Sequence, residues 1–298
     1  MTKVFHLMAA CTISVVLATS SIAPAQTYTT IDFPGAAATT LNGGPDPQGT
    51  SVGTYTDTSG VTHGFTLSKK GVFTSFDPPG STGTTPNYIT PQGVIVGGFL
   101  DAGGTSHGFI LENGAVTTLD FPGAAGTQLT GRNPSGAMTG FSCSDPACGT
   151  TGKPTTNHSF VVSKKGVITG FDPPGAVSST ASTVNPSGAI VGAYADANGV
   201  THGYLLYHHT FATIDFPGSS FTFAGGNNPE GDIVGIYTDS STGVSHSFLL
   251  RNGAFTSFDP PGAALSDASG INPGGIIVGI FVDSLTPGTP THGFVRTP

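Results

Sequence analysis

The chain has 298 residues, and its 45 Gly and 23 Pro are roughly double the average usage of these two residues, which excludes a fold built on long helices. Only 9% of residues are charged, against about 25% in an average protein, and the formal net charge is −8. A surface this poor in Lys and Arg excludes phosphate-backbone binding as a main activity, so nucleic acid is not an expected partner.

Residues 1–25 read as a secretory signal. Lys3 is the only charge there, an apolar run extends from Leu7 to Leu17, and Ala23-Pro24-Ala25 puts small residues on the near side of a cleavage point. The run is too short to span a bilayer, and Cys11 reads as part of the signal core rather than as a lipidation site. The expected mature chain is one domain, 26–298, secreted or periplasmic, monomeric and without a membrane span.

From residue 26 onward the chain repeats. Asp-(Phe/Pro)-Pro-Gly begins at Asp32, Asp77, Asp120, Asp172, Asp215 and Asp259, with spacings of 45, 43, 52, 43 and 44. Its second residue alternates, Phe33, Pro78, Phe121, Pro173, Phe216, Pro260, as if a two-repeat unit had been triplicated. A His at 63, 107, 158, 202, 246 and 292 keeps the same step and precedes Gly or Ser and then an aromatic. Each repeat parses into four short strands. The first is small and polar, as in Ala176 to Thr180. The second is an apolar run such as Ile190-Val191-Gly192-Ala193-Tyr194, entered through an Asn-Pro-x-Gly turn such as Asn185 to Gly188. The third carries the His, as in Thr201 to Leu206, after an Asp-x-x-Gly turn such as Asp196 to Gly199. The fourth alternates apolar and hydroxyl residues, as in Phe255 to Phe258, after tight turns such as Asn252-Gly253 that tolerate positive φ.

Four strands per repeat of about 45 residues describe a propeller blade. The predicted fold is therefore all-β, a six-bladed β-propeller with four-stranded blades. The mature chain opens on a fourth strand, Tyr28 to Asp32, and ends on a third, Thr291 to Val295, so its N-terminal strand should complete the last blade and close the ring. A β-solenoid would want a shorter, more even rung, and a β-trefoil has three such units.

These residues resemble the HAF family of extracellular repeats, whose Ile-Asn-x-x-Gly-x-Ile-Val-Gly run is followed by His-Ala-Phe and a Thr-rich strand. The resemblance covers all six repeats. The middle residue of the namesake tripeptide departs, being Gly64, Gly108, Ser159, Gly203, Ser247 and Gly293. The family implies an exported bacterial repeat protein and no settled activity, so function rests on sites.

Residues recurring in every repeat, the six histidines included, read as structural, with Asp capping turns and His bonding a neighbouring turn. Candidates for function lie where the symmetry breaks. Asp267 and Arg132 are expected to line the channel and hold a polar ligand, with Phe221 and Phe223 as stacking surfaces. The long third repeat places Asp145, Lys153 and Asn157 on the rim, beside Cys143 and Cys148, which in an exported chain are expected to form a local disulfide. Glu230, Asp232 and Glu112 read as solvated edges. No catalytic pair, metal site or cofactor motif is present in the sequence, calcium being left open. The leading reading is a non-enzymatic propeller that binds extracellular polysaccharide or an envelope or secreted protein. A channel-centred glycan lyase or hydrolase and a structural matrix protein are the alternatives.

Overall fold

The computed structural model describes residues 26–149 and 155–298; the expected signal segment and Lys153 lie outside the described residues. Among these, β1 is Thr27–Ile31, and β2 to β5 are Ala38–Gly43, Ser51–Thr56, Thr62–Leu67 and Phe73–Phe76. The next units are β6 to β9 (Gly83–Ile89, Ile95–Leu100, Ser106–Glu112, Ala115–Leu119) and β10 to β13 (Gly126–Arg132, Met138–Cys143, Asn157–Val162, Ile168–Phe171). They are followed by β14 to β17 (Ser178–Val184, Ile190–Ala195, Thr201–Tyr207, Thr210–Ile214) and β18 to β21 (Ser219–Asn227, Ile233–Asp239, Ser245–Arg251, Ala254–Phe258). The last strands are β22 (Leu265–Ile271), β23 (Ile277–Val282) and β24 (Thr291–Thr297).

All neighbouring strands within a repeat pair antiparallel. Where the sequence predicts six separate sheets, the hydrogen bonding makes five, four of four strands and one of eight. The eight-stranded sheet joins the units β14 to β17 and β18 to β21 through a single parallel bridge between Thr201 and Phe221. β18 is also the longest of the first strands, nine residues against six or seven in the other repeats, with Ser219 and Ser220 added ahead of Phe221.

The first strands of successive repeats touch in cyclic order, β2 to β6, β10, β14, β18, β22 and back to β2, which makes the arrangement a propeller around a channel. β1 pairs with β24 from Thr27 opposite Thr297 to Ile31 opposite Gly293, so the N-terminal strand completes the last sheet as expected and covers its edge.

The core lies between sheets. Each third strand carries one ring with no exposed surface, Phe65, Phe109, Phe160, Tyr204, Phe248 and Phe294. Burying each contributes about 2 to 3 kcal/mol. The ring lies against the Gly of the preceding second strand, Gly53, Gly97, Gly140, Gly192, Gly235 and Gly279, where a methyl group would strike both the ring and a carbonyl of the first strand. The Gly of each Ile-Val-Gly-type run is thus a packing requirement, because the inner strand and the ring approach it from two sides.

Each first strand also contains a β-bulge at an equivalent place, with the extra residue at Asn42, Asn87, Thr130, Ser182, Gly225 or Ser269, and β18 has a second between Ser219 and Phe221. A one-residue shift exchanges the faces of a strand, so alternation counted from one end no longer predicts the channel face at the other.

Candidate functional site

At the rim, each repeat His bonds through Nδ1 to the Asp of the following Asp-x-Pro-Gly turn: His63 to Asp77 at 2.7 Å, His107 to Asp120 at 2.9 Å and His158 to Asp172 at 2.9 Å. His202 to Asp215 at 3.0 Å and His246 to Asp259 at 2.8 Å continue the series, and His292 to Asp32 at 2.7 Å closes it across the chain ends. In four repeats Nε2 also approaches the Asp of the second-to-third-strand turn, for example Asp57 at 3.5 Å and Asp101 at 3.4 Å. That turn Asp is committed as well. Asp57 Oδ1 accepts from the amides of Ser59 and Val61 and from the Ser59 hydroxyl. These bonds, led by the Ser59 hydroxyl, hold its carboxyl down at about 2. His63 is raised, mainly by its bond to Asp77. In His107 burial pulls downward most strongly, and the bonds to and charges of Asp120 and Asp101 together outweigh it.

The channel differs from repeat to repeat. At one mouth a cavity of about 380 Å³ is lined by bulge residues and by Thr85, Gln128, Phe223 and Asp267, one step back along the inner strands, with Phe141 and Cys148 from the third repeat. Four bulge side chains donate across to the carbonyl just before the next bulge: Asn42 to Pro86 at 2.9 Å, Asn87 to Leu129 at 2.8 Å, Thr130 to Ala181 at 2.7 Å and Ser269 to Leu41 at 2.7 Å. The ring is open over one arc. Gly225 has no side chain, and Ser182, only 8% exposed, keeps an Oγ with no hydrogen-bond partner. At the far end the channel narrows to about 80 Å³ inside a collar that includes Pro47, Pro91, Pro134, Pro186, Pro229 and Pro273.

Among the described residues Asp267 is the one ionisable side chain in the lining of this cavity. No hydrogen bond or ion pair reaches its carboxylate, and desolvation by the surrounding walls pushes it up to about 6. The disulfide Cys143–Cys148 forms, with Cα atoms 5.2 Å apart, and folds its loop over the start of β10, where Pro146 O and Cys148 Sγ crowd Gly126, and onto β8, where the Pro146 carbonyl accepts from the Ser106 amide at 2.7 Å. Cys148 holds a left-handed φ of 50°, followed by Gly149 at 78°.

Other expected site residues go elsewhere. Arg132 does not meet Asp267. It follows the Thr130 bulge, so its face is exchanged, and it sits at the end of β10 away from the stapled loop, with Nη1 4.0 Å from Glu112 Oε2. Phe221 leaves the channel for a groove beside His202 and Asp215, whereas Phe223 lines the cavity. Asp145 is spent within its own loop, accepting from the Gly149 amide at 3.1 Å. Asn157 bonds sideways, its amide donating to Ser178 Oγ at 3.0 Å. Asp232, expected as a solvated edge, is buried: Arg251 Nε and Nη2 donate to its two oxygens at 3.0 and 2.7 Å, and the Arg251 bond holds its carboxyl below the usual range. Glu112 and Glu230 are exposed as expected. Among the described residues no group of His, Cys, Asp or Glu is arranged to hold a metal ion, and no helix is long and apolar enough to cross a membrane.

The sequence reading missed Phe141, Ser182 and the two Asn of the ring. The signal was available in the repeats themselves, because Asn42, Asn87, Thr130, Ser182, Gly225 and Ser269 are equivalent positions that differ while their neighbours repeat.

No protein-family model matches the sequence, and no curated protein sequence matches it. Among solved structures, the chain is similar to virginiamycin B lyase from Staphylococcus aureus, with 11% identity over 92% of this chain and 100% of that one, TM-score 0.53. It is also similar to AofleA from Arthrobotrys oligospora, with 11% identity over 91% and 86% of the two chains, TM-score 0.55. A third likeness is to Aleuria aurantia lectin, solved with α-methyl-L-fucoside, with 12% identity over 86% and 90%, TM-score 0.50. At these identities the likeness shows a shared propeller fold.

Proposed function

We propose that the protein is an exported, HAF-type repeat protein whose propeller binds extracellular carbohydrate at the channel mouth beneath the stapled loop. The eight-stranded sheet counts as two blades sharing one bridge, which gives six. The observation that carries the reading is the composition of the cavity: amides and hydroxyls from Asn42, Asn87, Gln128, Thr130 and Ser182 beside the rings of Phe141 and Phe223. Sugars present hydroxyls and apolar ring faces, and a preformed concave site with a few placed polar groups and aromatics suits them. An envelope or secreted protein docking on the same face is the second form of this reading.

The enzymatic alternative draws on Asp267, whose pKa, raised to about 6, suits proton transfer near neutral pH. Glycosidic cleavage of the common kind uses two carboxyl groups flanking the bond, and the lining supplies one. The test is retention of the purified protein on a panel of immobilised polysaccharides, with calcium and with chelator, while the eluate is assayed for freed oligosaccharide. Retention without release is expected; release would make the protein an enzyme, and failure on every polymer would move the reading to a protein partner or a matrix role.

A further inference from the structure

We propose that the channel cavity selects a cationic amino sugar, its ammonium group on the Asp267 carboxylate and its ring in the open arc of the bulge ring beside Gly225. This rests on the reading of the cavity as a carbohydrate site.

One unpartnered group and the space beside it point to this. Asp267 lies in the cavity wall, partly exposed to it, and among the described residues no hydrogen-bond donor or cation reaches its carboxylate, so at neutral pH it is an ionised group without a partner there. Ser182 is the one bulge side chain that does not bridge to the next repeat, and Gly225, between it and Asp267 in the ring, has no side chain, so the arc next to Asp267 is open. Among the described residues no other charged side chain lines the cavity; Cys148 is held in the disulfide, and the equivalent of Asp267 in the other lining strands is Thr85, Gln128 or Phe223. Arg132, expected in the channel lining, is turned toward Glu112 instead. Gln128 is tied back, its Nε2 donating to Ser106 Oγ at 2.6 Å.

An ammonium group supplies both the missing charge and the missing donors, whereas a neutral sugar supplies donors alone. A bare calcium ion fits less well, since it takes six to eight oxygen ligands, usually with several carboxylates, and the lining offers one. The net charge of −8 would attract any cation to the surface at large, so the test separates the cavity from the surface.

The purified protein is titrated calorimetrically at pH 7 with three disaccharides: a β-1,4-linked glucosamine dimer, its N-acetylated form, and cellobiose. The free-amine dimer is expected to bind at least tenfold more tightly than the acetylated one. Asp267→Asn is expected to erase that preference, and Glu230→Gln, which removes an exposed acid outside the cavity, to keep it. Thermal unfolding of Asp267→Asn at or above the wild-type temperature verifies that the variant is folded. Equal binding of the amine and acetylated dimers, or an unchanged preference in Asp267→Asn, overturns the amino-sugar proposal while leaving the carbohydrate reading in place. Binding of none of the three overturns both.

Discussion

At the rim, six histidines each meet the aspartate of a following turn, and the same pair recurs from His63–Asp77 round to His292–Asp32. One layer inward, equivalent positions of the first strands carry Thr40, Thr85, Gln128, Thr180, Phe223 and Asp267, which span small, amide, aromatic and acidic side chains. Rim bonds join strands to turns, so every blade needs them alike. Channel side chains make bonds that differ from repeat to repeat, such as Thr40 to Thr54 and Gln128 to Ser106, and there the repeats are free to differ. In this molecule repetition marks scaffold, and its failure marks the surface available for a ligand.

The largest effect should come from coupling the two layers. Gly279→Ala puts a methyl group against Phe294 and the Asp267 carbonyl at once, and overpacking of this kind costs about 3 kcal/mol. A fall of several degrees in thermal midpoint is expected, together with loss of ligand preference; an unchanged midpoint would show that the inner strand yields more easily than its packing implies.

Asp267→Asn should act in the opposite direction. The folded-state value near 6 lies above that of an unfolded aspartate, so this group favours folding fully only below about pH 4, and its contribution is lost as pH rises through 6. Replacing it is therefore expected to stabilise the protein at pH 7 by about 2 to 3 kcal/mol and to change little at pH 4. Denaturant titrations at the two pH values measure this, and equal differences at both would deny the desolvated carboxylate.

A smaller contrast lies within the bulge ring. Ser269→Ala removes a bond to the Leu41 carbonyl and should cost about 1 kcal/mol, whereas Ser182→Ala removes a hydroxyl that bonds nothing and should be neutral or slightly stabilising. Equal losses in paired denaturant melts would erase the distinction between closed and open arcs.

Smallest is the pH response of an individual rim pair. His63 is raised by Asp77, so its share of stability is present at pH 6 and fades as the pH rises through its folded value; Asp57 is depressed, so its share is present above pH 4 and is lost only toward pH 2. Proton resonances of the His63 ring, followed against pH, should titrate above those of the same residue in Asp77→Asn.

Much of the architecture was readable before any coordinates. Asp-x-Pro-Gly spacing, the Ile-Val-Gly runs and the strand types at the two chain ends imply four-stranded units closed by the N-terminal strand, and Cys143 and Cys148 imply their own bond. The channel was half legible. Asp267 and Phe223 precede the bulges of their strands and face inward as alternation expects; Arg132 follows one and does not. Asp232 escaped because Arg251, its partner, is nineteen residues away in a different strand.

What the amino-acid sequence determined by itself is whatever depends on local geometry repeated many times: glycine where φ is positive, apolar residues where strands alternate, acids where turns need an acceptor. Only the tertiary structure decided where the register slips, which bulge side chains reach the next repeat, and that Asp267 and Ser182 find no partner. Those outcomes depend on distances between strands some forty or more residues apart, and a single extra residue in a strand is enough to exchange one face for the other.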